Sequence, residues 1–157
     1  MTARKLIAMP LLWFFSGIII AGVSVATIAK GHQESLPGNY YVSMQAHYSL
    51  SLAAAFGAFA LLFLLIERIL KWPYDRRLAV LQFALMLGGS ITIFGPVFWL
   101  VWFGSRLPAR STETALLYLS GMSWFGYPAT LASLLIFIAL LIEALSRRFA
   151  RSKRAFN

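Results

Sequence analysis

The chain has 157 residues, of which 60% are hydrophobic and 12% are charged. A water-soluble domain of this length cannot bury that much apolar surface, so the composition predicts a protein of the lipid bilayer. The absence of cysteine excludes disulfides, iron–sulfur clusters and thiolate metal sites. The net charge of +9 arises mainly at the ends of apolar segments, a pattern typical of membrane proteins rather than of nucleic-acid binding.

Four apolar segments are each long enough to cross about 30 Å of hydrocarbon as a helix. They cover residues 6–29, 43–66, 78–103 and 115–145, and a basic tail follows at 146–157. Strands of about ten alternating residues are missing, so a closed barrel is excluded. The sequence therefore predicts one all-α integral membrane domain, a bundle of four transmembrane helices. Segment 1 could instead be a signal peptide, because Arg4 and Lys5 precede it, but its apolar length favours a retained span.

The distribution of Lys and Arg predicts the orientation of the bundle. Most of the 14 basic residues lie in the N-terminal tail, in the loop between segments 2 and 3, and in the C-terminal tail. Only Lys30, Arg106 and Arg110 lie on the other side. By the positive-inside rule both termini face the cytoplasm, as in a multi-pass protein of the bacterial inner membrane. The basic tail is expected to lie along anionic headgroups as a surface helix.

Segments 2 and 3 carry small residues at helical spacing, which is typical of close helix packing. They are Ala53, Gly57 and Ala60 in segment 2, and Gly88, Gly89, Ser90 and Gly95 in segment 3. The alternative to plain packing is space for a flat macrocycle between helices. Pro96 removes a backbone donor and is expected to kink segment 3. Ser111 or Thr112 is expected to cap segment 4.

His47 is the residue most suited to chemistry, because it lies inside the outer end of segment 2, in "NYYVSMQAHYSL". An imidazole in lipid is costly without a partner, which makes an intramembrane histidine a functional candidate. Neutral imidazole is a common axial ligand of haem iron, so haem is the functional interpretation. The alternative is a histidine that hydrogen-bonds a neighbouring helix or interfacial water. One histidine supplies one axial ligand, and the second would come from another chain, another residue or solvent.

Arg106 and Arg110 lie between segments 3 and 4, on the same predicted side as His47. Arginine pairs bidentately with carboxylates, so these two residues are candidates to hold haem propionates. The alternative is two ordinary interfacial arginines. His32, the other histidine, lies in a polar loop and is expected to be solvated. Nucleotide-binding loops, nucleophile elbows and H-x-x-x-H metal patterns are missing from the sequence.

The stretch "NYYVSMQAHYSLSLAAAFGAFALLF" resembles the helix of haem–copper oxidase subunit I that reads V-x-A-H-F-H-Y and continues with small residues. "MPLLWFFSGIIIAGVSVATIA" is similar to the ninth helix of that family. "FALMLGGSITIFGPVFWLVWFGSRLP" is similar to the eleventh helix, with its G-x-x-x-T-F-F-P-x-H-F-x-G pattern before a P-R-R turn. "ALLYLSGMSWFGYPATLASLLIFIALLIEAL" is similar to the twelfth. The resemblance covers about residues 6–145, in order and with matching loops.

The departures from the family pattern concern its metal sites. In the family, the first histidine of H-F-H binds the oxygen-reducing haem and the second binds the low-spin haem. Gln45 stands at the first place and His47 at the second, which implies that only the low-spin ligand is retained. Pro37 and Gly38 replace a histidine–aspartate pair, and Phe98 replaces the histidine of the eleventh helix. The copper ligands, the cross-linked tyrosine and the other low-spin histidine belong to earlier helices, which this chain lacks.

The resemblance and the residues together imply a haem-binding membrane protein of cytochrome c oxidase subunit I type that does not reduce oxygen alone. His47 ligates the iron of a b- or a-type haem, Arg106 and Arg110 hold its propionates, and Gln45 belongs to the same site. Expected partners are the lipid bilayer and a second copy or a larger respiratory complex. Two copies with facing His47 residues would form a bis-histidine centre for electron transfer, whereas a five-coordinate iron would suit gas binding.

Two other interpretations compete with haem binding. In the first, the chain is a cofactor-free structural or assembly subunit, and His47 is an inherited hydrogen-bonding residue. In the second, the chain completes a split oxidase whose partner supplies the earlier helices. Gln45 argues against the split oxidase, because the high-spin iron would lose its protein ligand.

Overall fold

A computed structural model of the chain describes residues 8–33, 39–103 and 109–156. Within these ranges it describes the side chains of residues 8–30, 47–96, 98, 99, 102, 121 and 124–149. Four α-helices make up most of these ranges: α1 (Met9–Gln33), α2 (Asn39–Leu64), α3 (Arg76–Phe103) and α4 (Ala109–Phe156). A π-helical turn, Leu65–Leu70, continues α2. Within the described ranges, only residue 8 and the connection 71–75 are not helical.

Each helix contains a stretch long and apolar enough to cross a membrane, which confirms the prediction of four such helices. The stretches are Met9–Lys30, His47–Leu70, Arg76–Pro96 and Trp124–Phe149. Large apolar side chains cover the outside of the helices, and Trp124 and Phe125 are 77% and 78% exposed. Soluble monomers rarely expose apolar patches of this extent, because apolar area in water costs about 25 cal/mol per Å². These are the features of a multi-pass membrane protein.

The first connection is shorter than the sequence predicts. α1 extends to Gln33, so His32 lies on its last turn rather than in a loop. α2 begins at Asn39 rather than near residue 43, which places His47 a little over two turns inside the helix. α3 starts two residues before the predicted position and continues through Pro96 to Phe103.

α4 differs most from its prediction. It is one helix of 48 residues, about 72 Å long. Ser111 and Thr112 lie inside the helix and are not its N-cap, and the basic tail up to Phe156 continues α4 instead of forming a separate surface helix. Residues 109–114 and 146–156 contain no glycine or proline. An existing helix therefore propagates through them, since adding a residue to a helix costs far less than starting one.

The four helices pack as two antiparallel pairs, α1 with α2 and α3 with α4. Trp13 contacts Phe83, and Lys30 contacts Trp102, so α1 and α3 run side by side in the same direction. We call the end where α1 and α3 begin, and where the connection 71–75 lies, the basic end. The opposite end is where α2 and α4 begin.

Small residues allow the α1–α2 pair to approach closely. A Cβ atom on Gly17 would lie 3.3 Å from the carbonyl oxygen of Ala53 and 3.6 Å from the backbone nitrogen of Gly57. The close approach therefore depends on Gly17 of α1, which lies against the backbone of α2, whereas a Cβ on Gly57 itself would meet nothing within 4 Å. Further along the same contact, the hydroxyl oxygens of Ser24 and Ser49 lie 2.5 Å apart.

An aromatic cluster holds the two pairs together in the half of the bundle nearer the basic end. Trp13 is fully buried at its centre, with its ring centroid 4.6 Å from that of Phe59 and 5.0 Å from that of Phe83. Phe137 of α4 meets Phe59 edge to face, with centroids 4.9 Å apart. The cluster therefore joins all four helices. Its large rings gain dispersion contacts that would be lost if the pairs separated.

Candidate functional site

His47 lies on the outside of the bundle. Its side chain is exposed, and the neighbouring Tyr48 is 52% exposed. The backbone carbonyl of His47 accepts a hydrogen bond from Ser51 Oγ at 3.3 Å. The imidazole is therefore available to a group outside this chain.

Small residues continue the face of α2 that carries His47. Ser51, Ala54 and Ala58 are all exposed, and successive steps of four, three and four residues starting from His47 place them in one stripe along the helix. We call these four residues the His47 face. No bulky side chain interrupts the stripe for about three turns, so a flat group or another helix can approach the backbone of α2 there.

The other residues predicted for the haem site are only partly described. Gln45 lies on α2 two residues before His47, and Arg110 is the second residue of α4. α2 and α4 begin at the same end of the bundle, so the fold places both backbones at the end nearer His47. The side chains of Gln45 and Arg110, and all of Arg106, lie outside the described residues.

Metal-binding groups are sparse in the described part of the chain. No cluster of three or more His, Cys, Asp or Glu side chains occurs among those residues. His47 thus contributes a single imidazole to any metal site.

A cavity of about 420 Å³ lies on the other side of α2, between α1, α2 and α3. Its wall includes Ile20, Ser49, Leu52, Leu87, Phe94 and Gly95. Ser49 follows His47 by two residues, about 200° around the helix, so His47 points away from the cavity. The small residues in the sequence suggested space between helices, but their pattern did not show where the cavity lies. The sequence feature that coincides with the cavity is the presence of Ser90 and Gly95 on α3 together with Ser24 and Thr27 on α1.

Lys30 and Trp102 bridge α1 and α3 at the opposite end, beyond the cavity. The Lys30 ammonium lies 4.7 Å from the centroid of the Trp102 ring and 3.5 Å from the Trp102 carbonyl oxygen. Lys30 is three residues beyond Thr27, and Trp102 is four residues beyond Phe98, both of which line the cavity. The Lys30 side chain therefore starts about one helical turn beyond the cavity, toward the C-terminal end of α1.

The basic end carries charged and aromatic contacts that the sequence did not indicate. The Tyr74 hydroxyl donates a hydrogen bond to the Glu67 carboxylate. Burial, reinforced by this hydrogen bond, raises the pKa of Tyr74 well above its ordinary value of 10.0. Arg147 pairs with Glu143 one turn earlier on α4, and the Arg148 guanidinium lies 5.5 Å from the centroid of the Trp72 ring. The Arg148–Trp72 contact ties the connection 71–75 to α4, and the Tyr74–Glu67 hydrogen bond ties it to the π-helical turn.

No protein-family model matches the chain, and no solved structure is significantly similar to it.

Proposed function

We propose that this chain is a multi-pass protein of the bacterial inner membrane that binds haem through His47 and serves electron transfer or a respiratory membrane complex. The observation that carries the proposal is the exposed imidazole of His47, which stands above small residues on an apolar helix surface. A histidine in this setting needs a partner, because an unpaired polar group against lipid is costly.

The second axial ligand comes from another chain. Two copies that meet through the His47 face bring two imidazoles together, and Ser51, Ala54 and Ala58 let the helices approach. A bis-histidine iron is six-coordinate and suited to electron transfer. In this proposal Arg106 and Arg110 supply guanidinium groups for the propionates, and Gln45 supplies an amide.

The orientation in this proposal follows from charge. Arg147 and Arg148 lie at the basic end with the connection 71–75. With the positive-inside rule, this end and both termini face the cytoplasm, and His47 lies toward the external face. An external haem near the membrane surface is accessible to a soluble electron carrier.

A cofactor-free subunit is the second candidate. The small residues of the His47 face favour it, because the same stripe also suits direct packing against a helix of a larger complex. In this case His47 hydrogen-bonds the partner helix and no haem is present.

The visible spectrum of the purified protein distinguishes the two candidates. The wild type is expressed with ample haem, purified in mild detergent, and measured oxidised and after reduction with dithionite. We expect a sharp Soret band and an α band that disappear in His47→Ala and remain in His32→Ala, the matched control. A colourless wild type contradicts haem binding, and so does a spectrum that His47→Ala leaves unchanged.

Assembly through the His47 face has a separate test. Ala58→Trp places a bulky ring in the stripe, and we expect it to reduce the fraction of dimer or complex seen by cross-linking in detergent. Ala84→Trp is the control, because Ala84 is an exposed alanine of α3 outside the stripe. Equal effects of the two substitutions would rule out the His47 face as the contact.

A further inference from the structure

We infer that Lys71 and Arg148 form a binding site for the headgroup of an anionic phospholipid at the basic end of the bundle. The site joins the connection 71–75 to α4, and the lipid phosphate lies between the two cations. This inference rests on the membrane location in the proposed function but not on haem, because His47 lies toward the opposite end of the bundle. Each site can therefore fail without the other.

Both cations lie where the apolar surface of a helix ends. The apolar stretch His47–Leu70 stops directly before Lys71, and the stretch Trp124–Phe149 has Arg148 as its last residue but one. The side chains of Lys71 and Arg148 are exposed. In a bilayer the ends of apolar helix surfaces meet the headgroups, where basic and aromatic side chains concentrate. The two cations therefore lie at the depth of the lipid phosphates.

Trp72 brings the two cations together from distant parts of the chain. It follows Lys71 directly, and the Arg148 guanidinium lies 5.5 Å from the centroid of the Trp72 ring. A guanidinium above an aromatic ring keeps N–H donors for other groups, and its planar fork matches two oxygens of a phosphate. The Lys71 ammonium adds three donors on a flexible stem. One phosphate group can therefore accept hydrogen bonds from both residues.

The acidic side chains of the basic end do not neutralise these two cations. Each acidic side chain that the structure describes has another partner: Glu67 accepts from the Tyr74 hydroxyl, Asp75 from the N–H of Arg77, and Glu143 pairs with Arg147. In the described part of the chain, neither Lys71 nor Arg148 takes part in an ion pair. Two cations beside one ring, without a counter-charge of their own, attract an anion from outside the chain.

The surface next to the cations is apolar, which favours a lipid over a soluble anion. Leu145 lies about one turn before Arg148 on α4 and is 38% exposed, and Ile69 lies two residues before Lys71 and is 66% exposed. The acyl chains of a lipid held at the two cations can cover these side chains. A free phosphate or an acidic loop of a soluble protein would meet the cations and leave the apolar surface uncovered. The headgroup of an anionic lipid is suited to basic side chains at this level of a membrane helix.

Native mass spectrometry of the whole chain in mild detergent tests the ligand. The protein is offered equal amounts of phosphatidylglycerol and phosphatidylcholine at physiological ionic strength, with and without inorganic phosphate. We expect the wild type to retain phosphatidylglycerol in preference to phosphatidylcholine under both conditions. Equal retention of the two lipids would overturn the inference. A preference that inorganic phosphate abolishes would also overturn it, because the site would then bind any phosphate and not a lipid.

Arg148→Gln and Lys71→Gln test the location of the lipid, because each removes one cation from an exposed position. We expect each to lower the preference for phosphatidylglycerol about fivefold, the effect of one basic side chain at a headgroup. Arg77→Gln is the matched control, since Arg77 is exposed on the side of α3 that carries the exposed Ala84 and Gly88. We expect it to change the preference by less than about twofold, because salt screens charges that do not touch the lipid.

Equal effects of the three substitutions would assign the preference to the general charge of the basic end and would overturn the site. An unchanged preference in both Arg148→Gln and Lys71→Gln would overturn it as well. His47→Ala should keep the wild-type lipid preference, so the lipid measurement and the haem spectrum can fail separately.

Discussion

Gly89 of α3 and Gly126 of α4 face each other so closely that neither position has room for a methyl group. A Cβ atom on Gly89 would lie 2.8 Å from the carbonyl oxygen of Gly126, and a Cβ on Gly126 would lie 2.7 Å from the carbonyl oxygen of Gly89. The obstacle in both cases is backbone, which cannot rotate away as a side chain would. This contact sets the separation of α3 and α4, because small residues allow helix backbones to approach where lipid cannot compete.

Gly89→Ala is therefore expected to destabilise the protein by about 1–3 kcal/mol, the usual range for an overpacked contact. Gly88→Ala is its matched control, since a Cβ on Gly88 meets nothing within 4 Å. That substitution should be neutral or stabilise by up to about 1 kcal/mol through helix propensity. Unfolding by SDS titration in mixed micelles measures both, and similar values for the two variants would contradict the close contact.

Trp13→Ala is expected to cost about 3–5 kcal/mol, because the ring is fully buried among aromatic side chains of α2 and α3. The adjacent Phe14 is 51% exposed and serves as the control. Phe14→Ala should change the free energy of unfolding by no more than about 0.5 kcal/mol. The same titration measures both, and a Phe14→Ala effect as large as that of Trp13→Ala would place the core elsewhere.

Tyr74 makes the stability depend on pH in the alkaline range. Its pKa is raised in the folded protein by burial and by the hydrogen bond to Glu67, so the unfolded chain loses this proton first. The stabilisation is complete below about pH 10 and is lost as the pH rises further. We expect the melting temperature to fall less steeply above pH 10 in Tyr74→Phe than in the wild type.

A fall of the melting temperature above pH 10 that Tyr74→Phe leaves unchanged would contradict this role of the Tyr74–Glu67 contact.

Lys71 adopts a left-handed conformation at the end of the π-helical turn, with φ 49° and ψ 39°. Its N–H donates to the Ile66 carbonyl and closes the helix end. Glycine adopts this conformation without the steric cost borne by other residues, so Lys71→Gly should stabilise the protein by up to about 1 kcal/mol. Lys71→Ala removes the charge but keeps the strained conformation. If Lys71→Ala stabilises the protein as much as Lys71→Gly does, the gain comes from removing the charge and not from relieving the backbone conformation.

The sequence by itself determined the number of helices able to span a membrane, because lipid demands long apolar segments and these are visible in composition alone. It also marked His47 and the small residues as unusual. It did not determine helix ends where polar residues continue an established helix, as at Ser111, Thr112 and the basic tail of α4. Nothing in those residues stops propagation, so the length of α4 depends on a helix that has already formed.

Only the tertiary structure decided which way each side chain points. Gly88 and Gly89 are equivalent in sequence, yet a rotation of about 100° between successive residues places one against α4 and the other outside. The same rotation separates His47 from Ser49, so the histidine lies outside and the cavity lies behind it. In a soluble helix the polar face reveals the side turned to water. These helices are apolar all round, and only packing against their neighbours determines which face is buried.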